Sequence, residues 1–420
     1  MRKIGLKILP VFLLATAIAL SPSFSAGQIE GGRVIEIRVE DFLIVILGLV
    51  WIANFLISGK KKVEKPPLLF PILAWLGIGF FSVLTNWIFG NIGISRGFFF
   101  FLKEVEFFFL YFYLFYHLRS FDSVKFIIKA WIFLGLINIS WIVYQIVSGL
   151  RITYYYGPMP FMEPGPFPAG GFFLIIFIFF LNILLYYYFS LNISKFKKGV
   201  VAMAAVSPAV GVFCSGSRAS FFGLILALIL TFFLYSLKKG FFKTFLIVII
   251  FSIFISGILV LSQQPVAERF LNIEDIFWNL NTENPASRTS IWIYQLSEAS
   301  ERPLFLLFGF GKSVVLLEKK GESHSQYVRN IIETGIIGFL IFLILMFAII
   351  KKSWHEFSKG KDSLLMGLSS GLFIATLAML FISILAEAFI VVKISEAYWF
   401  FAALTMAALS LNKKTKQNDL

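Results

Sequence analysis

The sequence predicts an all-α, polytopic membrane protein of about twelve transmembrane helices, with one large, partly helical polar loop late in the chain. Three observations predict it. Hydrophobic residues make up 59% of the 420, aromatic residues 18% and charged residues only 14%, with a mean hydropathy of +0.86. No soluble domain has that balance. Apolar runs of spanning length recur along the chain. Lysine and arginine clusters fall in alternate connections.

The runs lie near Leu6–Pro22, Phe42–Ser58, Leu68–Phe89, Gly97–His117, Phe126–Val147 and Phe167–Ser190. They continue at Val200–Cys214, Ala219–Leu237, Phe242–Leu261, Ile336–Ile350, Leu364–Leu385 and Ala397–Leu411. The first can also be read as a signal peptide, because Ser23-Phe24-Ser25 resembles a small-residue cleavage site. The clusters Lys60–Lys62, Lys195/Lys197/Lys198, Lys238/Lys239/Lys243, Lys351/Lys352 and Lys413/Lys414/Lys416 share one side with the Met1-Arg2-Lys3 end. That side is the cytoplasm. The formal charge of +14 is therefore mainly a topology signal and implies no nucleic-acid partner. The single Cys214 excludes an intrachain disulfide framework.

No internal repeat is evident, so residues 1–420 read as one membrane domain. The largest hydrophilic insertion, residues 263–335, then lies on the extracytoplasmic side, together with Arg218 and Glu387–Lys393. A connection this long usually has a task. Within it Pro285 can open a helix capped by Asn284. Ser287 to Ser300 places Ile291, Ile293/Tyr294 and Leu296 at helical spacing. Pro303 follows, and Gly309-Phe310-Gly311 is a turn. Ser323 and Gln326 have capping-box spacing, so a second helix is expected with His324 as its first residue. Gly335 and Gly338 mark a bend or a close packing point before the next span.

Four sets of side chains carry candidate chemistry. A neutral His324 at a helix N-terminus can accept a hydroxyl proton; the alternative is a solvated loop histidine. No second histidine stands at metal-ligand spacing, so no zinc site is expected. Arg218 closes the polar turn Cys214–Arg218 at the head of a span, where helix N–H groups and a guanidinium suit a phosphate. The alternative is an interfacial arginine at the lipid headgroups. Arg288 poses the same question, with ion pairing to Glu283 or Glu298 as the alternative. Lys103, Glu104 and Glu106 lie within the fourth span, and Arg96 shares a helix face with Lys103. Such charges pair or line a cavity; a Lys103–Glu106 pair at i,i+3 is the preferred reading. The Tyr-, Pro- and Gly-rich stretch 154–167 is a further outer loop.

Three stretches together resemble the O-antigen ligase and polymerase superfamily of bacterial membrane glycosyltransferases. They are Ser215-Gly216-Ser217-Arg218-Ala219-Ser220-Phe221; Ser287-Arg288-Thr289-Ser290-Ile291-Trp292 with Pro303 and Gly309-Phe310-Gly311; and His324-Ser325-Gln326-Tyr327 with Glu333-Thr334-Gly335-Ile336-Ile337-Gly338. The likeness is strongest from about Val200 to Phe347. It implies a C-type, all-helical glycosyltransferase in the bacterial inner membrane, with its active site facing the periplasm. The donor would be an undecaprenyl-pyrophosphate-linked glycan, and the acceptor lipid A–core or another glycan. No metal or cofactor is implied.

The catalytic set implied is His324, Arg288 and Arg218. The substrate-binding set is Arg218, Arg288, Arg329, Tyr327, Lys103 and Arg96. One departure is that Pro168 is followed by Ala169, where the family often has Asn. The Arg-x10-Gly loops that mark some polymerases are absent after both Arg288 and Arg151, which end at Ala299 and Met162. That tilts the reading to a ligase. A polymerase, a protein O-oligosaccharyltransferase and, in another class, a lipid or sugar transporter are the alternatives. The chain shows no Walker-type nucleotide loop.

Overall fold

A computed structural model describes residues 2–21, 23–28, 34–57, 64–90, 93–148, 165–240, 287–314 and 323–418. The protein is a helical bundle. Its long helices are α1 (Arg2–Leu20), α2 (Val39–Ile57), α3 (Leu69–Ile88), α4 (Ile94–His117), α5 (Phe121–Val147), α6 (Pro166–Tyr186), α7 (Lys195–Cys214) and α8 (Arg218–Lys239). Two shorter helices follow, α9 (Arg288–Ser300) and α10 (Pro303–Phe308). The chain ends with α11 (Gln326–Lys359), α12 (Ser363–Ile382) and α13 (Val392–Asn418). Eleven of the expected apolar runs coincide with these helices; Phe242–Leu261 lies outside the described residues.

Eight of the helices are long and apolar enough to cross a membrane. The protein is thus an all-α, multi-pass membrane protein. One feature was not anticipated: β1 (Ser23–Gln28) and β2 (Val34–Arg38) pair antiparallel as a small hairpin between α1 and α2.

The sequence of α6 explains its place. It is apolar all round, so no face suits solvent, and a helix of that kind belongs in the middle. Every residue from Ala169 to Tyr186 is buried, with α7, α8, α12 and α13 packed around it. In contrast, α2 keeps Phe42, Ile46 and Leu49 exposed, as a lipid-facing helix does.

Lysines from three of the clusters gather at one end of the bundle, while Lys60–Lys62 and Lys243 lie outside the described residues. Lys238 donates to the Ser358 carbonyl at 2.8 Å. Lys352 and Lys413 both approach Glu356, at 2.9 and 4.0 Å, and Lys414 pairs with Glu64. At the opposite, loop end, α9, α10 and the start of α11 enclose a small second core of Ala299, Phe310, Val328 and Ile332.

Helix α11 is two helices joined at Gly335, whose φ of 72° and ψ of 179° break the helical path. The break frees the carbonyls of Ile332 and Glu333. Phe310 N–H donates to the first at 2.7 Å and Gly311 N–H to the second at 3.2 Å; Ser82 Oγ also donates to Glu333 O, at 2.6 Å. The orphan carbonyls of a helix end are thus satisfied by the glycine turn. Only glycine fits at the crossing. A Cβ on Gly335 would lie 2.1 Å from the Leu307 carbonyl oxygen, and one on Gly309 2.3 Å from that of Glu333.

Candidate functional site

The turn before α8 is built by serines. Ser217 caps the helix, its Oγ accepting from Ser220 N–H at 3.3 Å. Its own N–H donates to Ser215 Oγ at 3.2 Å. Gly216 takes a φ of 68° to make the corner. The head of α6 presses against this turn: a Cβ on Gly170 would meet Ser215 Oγ at 2.6 Å and Ser220 Oγ at 2.7 Å. Arg218 is therefore the first residue of a helix whose start is fixed from two sides.

Arg288 repeats the arrangement. The helix begins at Arg288 and its cap is Ser287, whose Oγ accepts from Ser290 N–H at 3.2 Å. This corrects the expected Asn284 cap; Asn284 and Pro285 lie outside the described residues. The buried stripe is Ile291, Gln295 and Ala299, while Ile293 and Tyr294 are exposed. An i, i+4, i+8 row, rather than the apolar positions alone, meets the bundle. Arg288 Nη1 donates to the Leu385 carbonyl at 2.8 Å. Burial and, after it, the charge of Arg218 lower the pKa of the Arg288 guanidinium below the ordinary arginine value. The two arginines thus lie within electrostatic reach of each other.

His324 is held differently from the sequence expectation. It precedes α11 and has a left-handed φ of 50°. The N-cap is Ser325, without a side-chain cap bond. The reason is competition for groups. Ser323 Oγ donates to Glu387 Oε1 at 2.7 Å instead of capping the helix. Gln326 N–H goes to the carbonyls of Ser383 and Ala386, at 3.0 and 3.2 Å. The Gln326 side chain, expected to complete a capping box, accepts from Phe389 N–H at 3.0 Å and donates to Asn330 at 2.8 Å. Trp292 Nε1 donates to the Ser323 carbonyl at 2.5 Å. His324 itself is exposed between buried Ser323 and Ser325. A side chain presented from a strained, over-determined backbone is a frequent sign of function.

The other expected site residues are placed as follows. Arg329 is 1% exposed and pairs with Glu387 at 2.5 Å and Glu333 at 2.8 Å. Arg96 Nε donates to Ser313 Oγ at 2.9 Å, and Ser313 N–H to Glu333 Oε1 at 2.8 Å. Arg96 thus stands one layer behind Arg329. Tyr327 turns toward α12 and donates to the Leu380 carbonyl at 2.6 Å. Lys103 pairs with Glu106 at 3.0 Å, as expected, and also with Asp41 at 2.7 Å. Glu104 pairs instead with Lys312 at 2.7 Å, whose ammonium lies 4.6 Å from the Trp75 ring centre.

The structure therefore draws Arg288 and the His324 segment to one place, the turn between α12 and α13, and the charge of Arg218 acts on Arg288. Sequence reasoning missed Glu387, which joins Ser323 to Arg329 there. A signal existed: one carboxylate between two alanines, in a turn between apolar spans. Trp292 was read only as part of a motif, and its role as a strut needed the three-dimensional structure.

No curated protein matches the chain. A family model described as O-antigen ligase matches residues 200–343, the stretch from the start of α7 to the first turns of α11 beyond Gly335. Arg218, Arg288 and His324 all fall inside it. The match covers about a third of the chain, and over that stretch the chain is similar to the O-antigen ligase family.

Proposed function

We propose that the chain is an O-antigen ligase-type glycosyltransferase that moves a glycan from undecaprenyl pyrophosphate to a lipid A–core acceptor. In this reading the active face is the loop end, on the periplasmic side of the inner membrane, and the lysine-rich opposite end supports that orientation. The observation that carries the reading is the placement of Arg218 and Arg288. Each opens a serine-capped helix, and the charge of Arg218 acts on Arg288. Like charges so placed are unfavourable unless an anion lies between them. A pyrophosphate diester suits two helix N-termini and two guanidinium forks.

In the transfer, the bond between the sugar C1 and the pyrophosphate oxygen breaks. The acceptor hydroxyl oxygen bonds to C1, and its proton passes to a ring nitrogen of His324. Undecaprenyl pyrophosphate leaves with the bonding electrons, its charge held by the arginines. The carrier linkage supplies the driving energy, so no nucleotide is required. The fold class is that of a C-type glycosyltransferase.

Deleting the gene and resolving cell-surface lipopolysaccharide on a gel tests the assignment. A ligase loses the whole ladder while carrier-linked polymer accumulates. A single repeat left on the core would reassign the chain as a polymerase, and an unchanged ladder would overturn both.

A further inference from the structure

Towards the loop end, α2, α4 and α13 bring three carboxylates together inside the bundle. Oxygens of Asp41, Glu106 and Glu396 lie within 4.8 Å of one another. Glu396 is fully buried. Among the described residues neither of its oxygens has a hydrogen-bond partner, and Glu106 Oε1 has none. The remaining oxygens are used: Lys103 takes Asp41 Oδ1 and Glu106 Oε2, and Arg38 N–H donates to Asp41 Oδ2 at 2.9 Å. The neighbouring cations Lys393 and Arg38 also act on Glu396, but each has a carboxylate of its own. Lys393 pairs with Glu40 at 2.7 Å, and Arg38 with Glu36 at 3.1 Å. With all three ionised, one ammonium would leave two negative charges in a place that water does not solvate. One divalent cation balances them. The free donors are all carboxylate oxygens, the ligands that hard cations select.

We propose that Asp41, Glu106 and Glu396 bind a hard divalent cation, calcium or magnesium in class, that ties α2, α4 and α13 together. Among the described residues none of the three is hydrogen-bonded or ion-paired to Arg288 or to residues 323–325. The cation is therefore a brace of the bundle, and the proposal is independent of the transfer chemistry.

The test uses the full-length protein in detergent, stripped with chelator and titrated with Mn²⁺ while the free-ion EPR signal is followed. A single tight site is expected, displaced by Ca²⁺ or Mg²⁺, with the thermal midpoint rising as either is restored. Glu396→Gln removes the unpartnered carboxylate and is expected to weaken Mn²⁺ binding by roughly tenfold or more. Asp41→Asn, at a less buried position, provides a second variant with the same expected direction should the first fail to fold. No bound Mn²⁺ in the wild type at millimolar concentration, or wild-type affinity in a folded variant, overturns the proposal; the cluster is then neutralised by protons.

Discussion

Glu387 is the residue whose removal tests the architecture of the site most directly. Its Oε1 accepts from Ser323 and its Oε2 from Arg329. Glu387→Ala removes both bonds. Breaking a buried ion pair from one side costs about 3–5 kcal/mol, because the remaining charge stays desolvated. Glu333 still faces Arg329 at 2.8 Å, so the lower end, about 3 kcal/mol, is expected for the pair. The orphaned Ser323 hydroxyl adds about 1 kcal/mol.

Glu387→Gln is the control. The amide can still accept from Ser323 but loses the charge that meets Arg329. Replacing a charge-assisted bond by a neutral one costs about 1–2 kcal/mol. Thermal unfolding in detergent gives the stabilities, and transfer from a lipid-linked donor gives the kinetics. Arg288 is anchored to the Leu385 carbonyl rather than to the Glu387 side chain, so the donor KM should change little. The kcat of Glu387→Ala should fall, because the Ser323–Ser325 segment that presents His324 loses its anchor. Glu387→Gln should retain most of it. A Glu387→Ala protein with wild-type midpoint and kcat would refute this account of how His324 is positioned.

Further outcomes are expected. Arg288→Lys should cost on the order of tenfold or more in transfer, since a point ammonium does not match a planar fork on phosphate; wild-type rates for both Arg288→Lys and Arg218→Lys would sink the pyrophosphate assignment. His324→Ala should remain folded and lose roughly 10²–10⁴-fold in rate, whereas full activity in His324→Gln would place the base elsewhere. Gly335→Ala should destabilise by more than about 1–3 kcal/mol, the usual strain of a side chain at such a φ, because its Cβ also meets backbone 2.1 Å away; a midpoint equal to wild type would count against the helix break. With an impermeant reagent on spheroplasts, Ser287→Cys should label and Lys352→Cys should not, and the reverse pattern would invert the topology.

The spans were legible because burial in lipid demands long apolar runs, and little else in a sequence imitates them. The break at Gly335 and the glycine turn at Gly309 were legible for a similar reason: glycine marks backbone that other residues cannot adopt. Lys103 with Glu106 followed from spacing. The errors share a cause. Ser323 and Gln326 have the local pattern of a capping box, yet Ser323 bonds Glu387, 64 residues away, and Gln326 bonds the α12–α13 turn. Local pattern lost to tertiary partners that no window of sequence contains. Asp41 beside Lys103 was hidden in the same way, since α2 and α4 are distant in the chain.

The contrast between Arg288 and Arg329 indicates how the site divides its work. Both guanidiniums lie at the loop end and both are held at hydrogen-bond distance. Arg329 meets two carboxylates, so its charge is answered within the protein and its effect on a ligand passes through the segment it braces. Among the described residues Arg288 forms no ion pair; its bond is to a neutral carbonyl, and the charge that acts on it is another arginine. A carbonyl fixes the direction of a guanidinium without cancelling its charge. That is what preorganised binding of a pyrophosphate requires: the geometry is set before the anion arrives, and little charge has to be released to receive it. The same turn that orients Arg288 through Leu385 holds Ser323 through Glu387. In the proposed reading, Arg288 as donor grip and His324 as proton acceptor are thereby registered to one short piece of backbone.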